Sequence, residues 1–233
     1  MKCNNHTGFF LLSLLISVSF FSYSQEEFPK NKYYLSTRVS CTIPHIISNA
    51  ALRRSFLGIY DIGTSVSVNP FSGITAGIAY SNVMFTVPAN KISGLSSTTM
   101  RQHNAGFRLG YDHYISEMTF FTFVMNAGKN FTFFSGVPVQ NAAGKIFEYE
   151  STYLSPEVDV NFFIEESFAI GITLSFNHVD KPFSPDFIGL NNHASYTAKD
   201  YKGSTSYINI GFGFYYGFAR KKSAGPRSSM DDF

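Results

Sequence analysis

From Phe168 to Asn177 the chain reads FAIGITLSFN. Phe168, Ile170, Ile172, Leu174 and Phe176 take one set of alternate positions, and Ala169, Gly171, Thr173, Ser175 and Asn177 take the other. A period of two puts these sets on opposite faces of a β-strand. One face is large and apolar, the other small and weakly polar, and neither carries a charge. A half-exposed strand of a soluble sheet turns Lys, Glu, Asp or Arg to water; this strand does not. The same contrast recurs in INIGFGFYYGF, where Ile208, Ile210, Phe212, Phe214 and Tyr216 oppose Asn209, Gly211, Gly213 and Gly217.

Alternation and turn signals predict eight strands, at 32–42, 56–68, 73–87, 101–111, 117–129, 150–164, 168–178 and 204–218. The facing of the fifth is ambiguous, because Phe120, Phe121 and Phe123 break the alternation. No segment is expected to form a helix long enough to matter. The connections after strands 2, 4 and 6 are short, NPFS, DHYIS and EES, whereas those after strands 1, 3, 5 and 7 are long and carry Pro, Gly, Asn and Ser. Tight turns at one end and long loops at the other are the rhythm of a membrane-spanning barrel.

Composition points the same way. Charged residues make up 15% of the 233-residue chain, against about 25% in ordinary soluble domains. There are 26 Phe and 14 Tyr but no Trp. A net charge of +2 argues against a nucleic-acid partner. At the N-terminus, Lys2 precedes an apolar run from Phe9 to Phe21 that is too short to span a bilayer as a helix. Small residues at Ser22 and Ser24 place a signal-peptidase cut after Ser24. The expected organisation is a signal peptide over 1–24, a barrel over 25–218 and a polar periplasmic tail over 219–233, with Arg220, Lys221 and Lys222 at the inner lipid headgroups. The mature chain then keeps one cysteine, Cys41, so no internal disulfide is expected and no metal site is suggested.

The fold class these features predict is all-β: an eight-stranded antiparallel up-and-down transmembrane β-barrel. Its apolar face turns out to lipid and its small face fills a narrow bore. Five charges fall on the small face, Arg38, Asp61, Arg108, Glu157 and Asp159. Opposite charges inside the bore predict a plug network, with Tyr34, Tyr207 and Asn209 as further partners; an ion path is the alternative. Pro156 removes a ladder donor, which predicts a bulge or the membrane rim there. Tyr33, Tyr80, Tyr111, Tyr216 and Phe218 read as interfacial girdle residues. The loop segments CTIPHIISNAALRR and PFSPDFIGLNNH are unusually apolar. They predict either loops packed over the barrel mouth or a contact surface.

With these strands in hand, the chain resembles the small eight-stranded outer-membrane barrels, the OmpA-membrane-domain, OmpX and PorT-like group. The last strand is similar to their assembly signal, with Gly211, Gly213, Tyr216 and Phe218 at the corresponding positions, although 15 residues follow Phe218. The resemblance implies residence in the bacterial outer membrane and contact with its lipids and insertion machinery. That group hosts adhesion, stress-related, enzymatic and secretion-accessory proteins, so the fold does not fix the function; the first reading is a non-enzymatic structural or accessory role, within a secretion or assembly complex of the envelope in the PorT-like version. A narrow conduit or binding barrel for a small solute or lipid is the second reading. A lipid A-modifying enzyme is the third, and it requires a His beside a Ser that faces lipid. His45, His103, His178 and His193 lie in the predicted outer half, with Ser184 and Asp186 near His178 in sequence. The His-x-Ser-Asn motif of lipid A deacylases is missing, since Val179 and Asp180 follow His178. No catalytic residue and no cofactor is assigned.

Overall fold

A computed structural model describes residues 33–71, 73–88, 98–136, 147–189, 196–197, 199–201 and 203–219. The segments 1–32 and 220–233 lie outside the described residues, so the expected signal peptide and most of the expected tail do too. The alternating segments form β1 (Tyr33–Ile46), β2 (Leu57–Phe71), β3 (Ile74–Thr86), β4 (Thr99–Tyr114), β5 (Thr119–Ser135), β6 (Phe147–Glu165), β7 (Phe168–Val179) and β8 (Thr205–Ala219). Each strand pairs antiparallel with the next, and β8 closes on β1, giving a closed barrel of eight strands. Closure leaves no unpaired edge, which a bilayer requires of a sheet. β2–β3, β4–β5 and β6–β7 join at the end that holds Tyr33 and Ala219, called here the inner end.

The pleat sorts the side chains as their sizes demand. Val39, Ile62, Ile78, Phe107, Val158, Ile172, Ile210 and Phe212 point outward and are exposed, Phe107 by 78% and Phe212 by 62%. Asn104, Asn126, Asn130, Asp159, Asn161, Thr173 and Asn209 point inward and are buried. This is a soluble barrel turned inside out. β5 resolves the same way: Phe120 is inward and buried, while Phe123 is outward.

The observed structure differs from the sequence expectations at several points. Tyr33, expected in the girdle, points into the bore and is 2% exposed, whereas Tyr34, expected inside, points out and is 43% exposed. A register shift between Tyr33 and Leu35 in the β1–β8 ladder inserts an extra residue and exchanges the two faces. Pro156 causes no bulge and does not mark a rim. The β6–β7 ladder is interrupted between Leu154 and Glu157 and resumes in the same register, because proline removes one donor without adding a residue. A short helix does form, α1 (Ala50–Ser55), capped by the Asn49 side chain, which accepts from the Leu52 N–H. Finally, β1 and β5 run beyond their predicted outer ends, to Ile46 and Ser135.

Candidate functional site

The middle of the bore holds an ion cluster that spans strands not adjacent in the sheet. Arg38 on β1 reaches across to β6. Its Nη1 donates to Glu157 Oε1 at 2.5 Å and to Asp159 Oδ2, and its Nη2 donates to Asp159 Oδ1 and to Thr173 Oγ1, the last at 2.6 Å. Arg108 on β4 completes the cluster, with Nη1 3.0 Å from Glu157 Oε1 and Nη2 3.9 Å from Asp159 Oδ2. Asp159 is fully buried. Two guanidinium groups therefore face two carboxylates across the bore, in the bidentate geometry arginine favours. Gly213 makes room for this: a Cβ there would lie 2.9 Å from Arg38 Nη2.

Asp61, the fifth charged residue, does not join the cluster. Its Oδ2 accepts from Asn209 Nδ2 at 2.5 Å, and Thr42 Oγ1 donates to its backbone carbonyl. Around it runs an amide and hydroxyl network. Asn130 donates to Asn104 at 2.7 Å, Thr132 and Ser151 donate to Asn130, and Asn104 donates to Ser81 and Tyr207. A cavity of about 50 Å³ lies between Asp61, Asn209, Asn177 and the ion cluster, room for a few waters and no larger solute.

Apolar groups close the bore at both ends. On the outer side Leu52 of α1 and Phe183 of the β7–β8 connection are fully buried, together with Phe56, Phe85, Met100, Phe134 and Tyr207. The Phe183 ring lies 5.8 Å from Phe56 and 5.7 Å from Phe134. The apolar loop segments are thus folded down into the mouth. On the inner side Tyr33, Phe120, Phe163 and Tyr215 form a second stopper, with Phe120 5.0 Å from Phe163 and 5.2 Å from Tyr215. The Tyr33 hydroxyl donates to the Glu166 carbonyl. Gly217 leaves space for the Tyr33 ring, which a Cβ would meet at 2.5 Å.

Sequence reading missed this inner stopper, although a signal was present. Tyr33–Tyr34, Phe120–Phe121, Phe162–Phe163 and Tyr215–Tyr216 are aromatic doublets at inner strand ends, and a pleated strand sends one ring of each pair inward. The four positions likened to an assembly signal divide between faces. Gly211 and Gly213 lie on the bore side, and Tyr216 and Phe218 lie outside with their rings 4.9 Å apart.

His178 Nδ1 lies 3.1 Å from Ser206 Oγ and 3.3 Å from Ser204 Oγ. Half of the enzymatic expectation is thereby met, a His within reach of a Ser. Of the two serines, Ser206 is 4% exposed and its backbone N–H donates to Ser48 Oγ at 2.6 Å, whereas Ser204 is half-buried. Ser184 and Asp186 contact each other. His193 lies outside the described residues. Among the described residues no group of three or more His, Cys, Asp or Glu is placed to hold a metal.

No known family profile matches the chain, and no curated protein matches it significantly in sequence. Solved structures do match. Neisserial surface protein A superposes with a TM-score of 0.54 at 11% identity, covering 79% of this chain and 97% of that one. The outer membrane protein OprG from Pseudomonas aeruginosa gives 0.46 at 12% identity, covering 83% and 100%. Ail, the attachment invasion locus protein of Yersinia pestis, gives 0.45 at 10% identity, covering 80% and 99%. With its closed ring of eight antiparallel strands and its match to the neisserial protein, the chain has the fold of the small outer-membrane β-barrels.

Proposed function

We propose that the protein is an integral barrel of the bacterial outer membrane, exported by a signal peptide over 1–24, and that it acts as a non-conducting structural or accessory component of the envelope. One observation carries this reading: paired charges cross the bore between two apolar stoppers. An ion entering such a bore must displace Leu52 and Phe183, pass the Arg38–Asp159 contact and part the ring stack at Phe120. Each step exposes or unpairs buried groups, at a cost of several kcal/mol. Work then falls to the outside: the outer loops, the lipid-facing wall and the ends. Membrane lipids, the insertion machinery reading Gly211, Gly213, Tyr216 and Phe218, and an envelope complex are the partners in this reading. Exposed Ile47, Leu57 and Ile59 at the outer ends of β1 and β2 favour a protein contact there.

The test is conductance. Folded protein in a planar bilayer is expected to give no channel events, and a double Leu52→Ala, Phe183→Ala chain is expected to stay silent as well, because the ion cluster and the inner stopper still close the bore. Steady conductance from the unmodified protein contradicts the reading and supports the conduit.

A further inference from the structure

A groove crosses the outward face of the barrel at β2–β4. Val66, Ile78 and Phe107 wall it, the Ala105–Gly106 backbone floors it, and Tyr80 closes its outer end. Its volume is about 410 Å³, within the range of sites that take small molecules. Its depth follows from the strands. An apolar band about 25 Å tall takes up about ten residues of a strand tilted by about 40°. Counted up β4 from its inner end at Tyr114, that band reaches the level of His103. Phe107 and Ala105 then lie among acyl chains, His103 lies at the headgroup boundary and Arg101 above it.

The outer end of the groove is chemically distinct from its walls. The Tyr80 hydroxyl and His103 Nδ1 are 2.6 Å apart; with the phenol donating, His103 Nε2–H is left as a donor. Arg101 lies two residues further out on the same face of β4 and is exposed. Lys129 faces Ala105 in register, but Glu150 compensates it at 2.5 Å, so among the described residues Arg101 and His103 supply the donors here not already matched by a carboxylate. An apolar channel that ends below a cation and a second donor matches one kind of molecule, a lipid with a phosphate headgroup. A void in a lipid-facing wall forfeits dispersion contacts along its whole length unless something fills it.

We propose that this groove holds one acyl chain of an outer-leaflet lipid whose phosphate is met by Arg101 and His103. The proposal rests on the membrane reading above. It is tested by native mass spectrometry of the full chain, purified in mild detergent and supplied with phosphatidylglycerol or with diacylglycerol of equal chain length, which lacks the phosphate. The expected result is one phosphatidylglycerol retained after other lipid is stripped, with diacylglycerol retained less. Ala105→Leu, which fills the floor, abolishes retention of both lipids. Arg101→Gln keeps the groove and loses the preference between them. Heat-modifiable migration shows that each variant is a folded barrel. Equal retention of the two lipids by the unmodified chain, or undiminished retention by Ala105→Leu, overturns the proposal. Failure of the membrane reading has a different signature, a chain that stays soluble without detergent.

Discussion

Arg38 is the residue on which the interior turns. It supplies donors to Glu157, Asp159 and Thr173 at once. Arg38→Ala leaves two carboxylates facing each other with only Arg108 nearby, and breaking a buried pair in this way costs about 3–5 kcal/mol. Arg54→Ala removes an outer-loop ion pair to Asp200 whose cation is open to solvent, and costs about 0–1 kcal/mol. Urea unfolding of the two variants in detergent, followed by the shift between folded and unfolded gel mobility, is expected to separate them clearly. Gly213→Val should weaken the same cluster from the opposite wall, because its side chain would occupy the position of the Arg38 guanidinium. The five charged positions could be placed on the bore face from alternation alone. Which of them meet could not, because Arg38 reaches Glu157 and Asp159 only through the register of a closed ring. Asp61 has the same phase along its strand, yet its partner is Asn209.

At the scale of elements, the strands were legible because exterior and bore carry opposite kinds of side chain at alternate residues. The pattern fades at the outer strand ends, and there β1 and β5 ran past their predicted ends. The β1 bulge was invisible for a related reason: Tyr33 and Tyr34 are the same residue type, so nothing in the sequence marks the change of phase. The outer stopper depends on loops held down by polar contacts. The Asp200 carbonyl accepts from the Ala51 N–H at 2.8 Å, and the Asp200 carboxylate meets Arg54 at 3.0 Å. The Thr197 N–H and hydroxyl, with Arg54 adding to them, hold the Asp200 carboxyl below its usual range. A carboxyl with a lowered folded pKa contributes fully above its unfolded value, near 4, and loses that contribution as pH falls toward the lowered value. Protection of the Ala51 amide from hydrogen exchange, corrected for the intrinsic rate, should therefore drop as pH falls below about 4. Asp200→Asn should remove that dependence. Phe183→Ala opens a cavity among Phe56 and Phe134, with an expected loss of about 3–5 kcal/mol in the same unfolding assay.

At the scale of the molecule, the barrel is arranged in three levels: an aromatic stopper, a layer of paired charge and amides, and an apolar stopper built from loops. Its exterior is an apolar belt. The small side chains on the bore face allow the narrow closure, and the large ones outside need an apolar medium. Both follow from the alternation at Phe168–Asn177 and Ile208–Phe218, so architecture was far more legible than activity. The central claim is that the apolar face meets lipid. Cys41 reports on it directly, since it points outward on β1 between Val39 and Ile43, opposite Phe212 in register, and is exposed. In proteoliposomes containing the folded Cys3→Ser chain, a membrane-impermeant maleimide should leave Cys41 unlabelled and should label it fully once the barrel is unfolded. Rapid labelling of Cys41 in the folded, membrane-reconstituted protein would contradict the account.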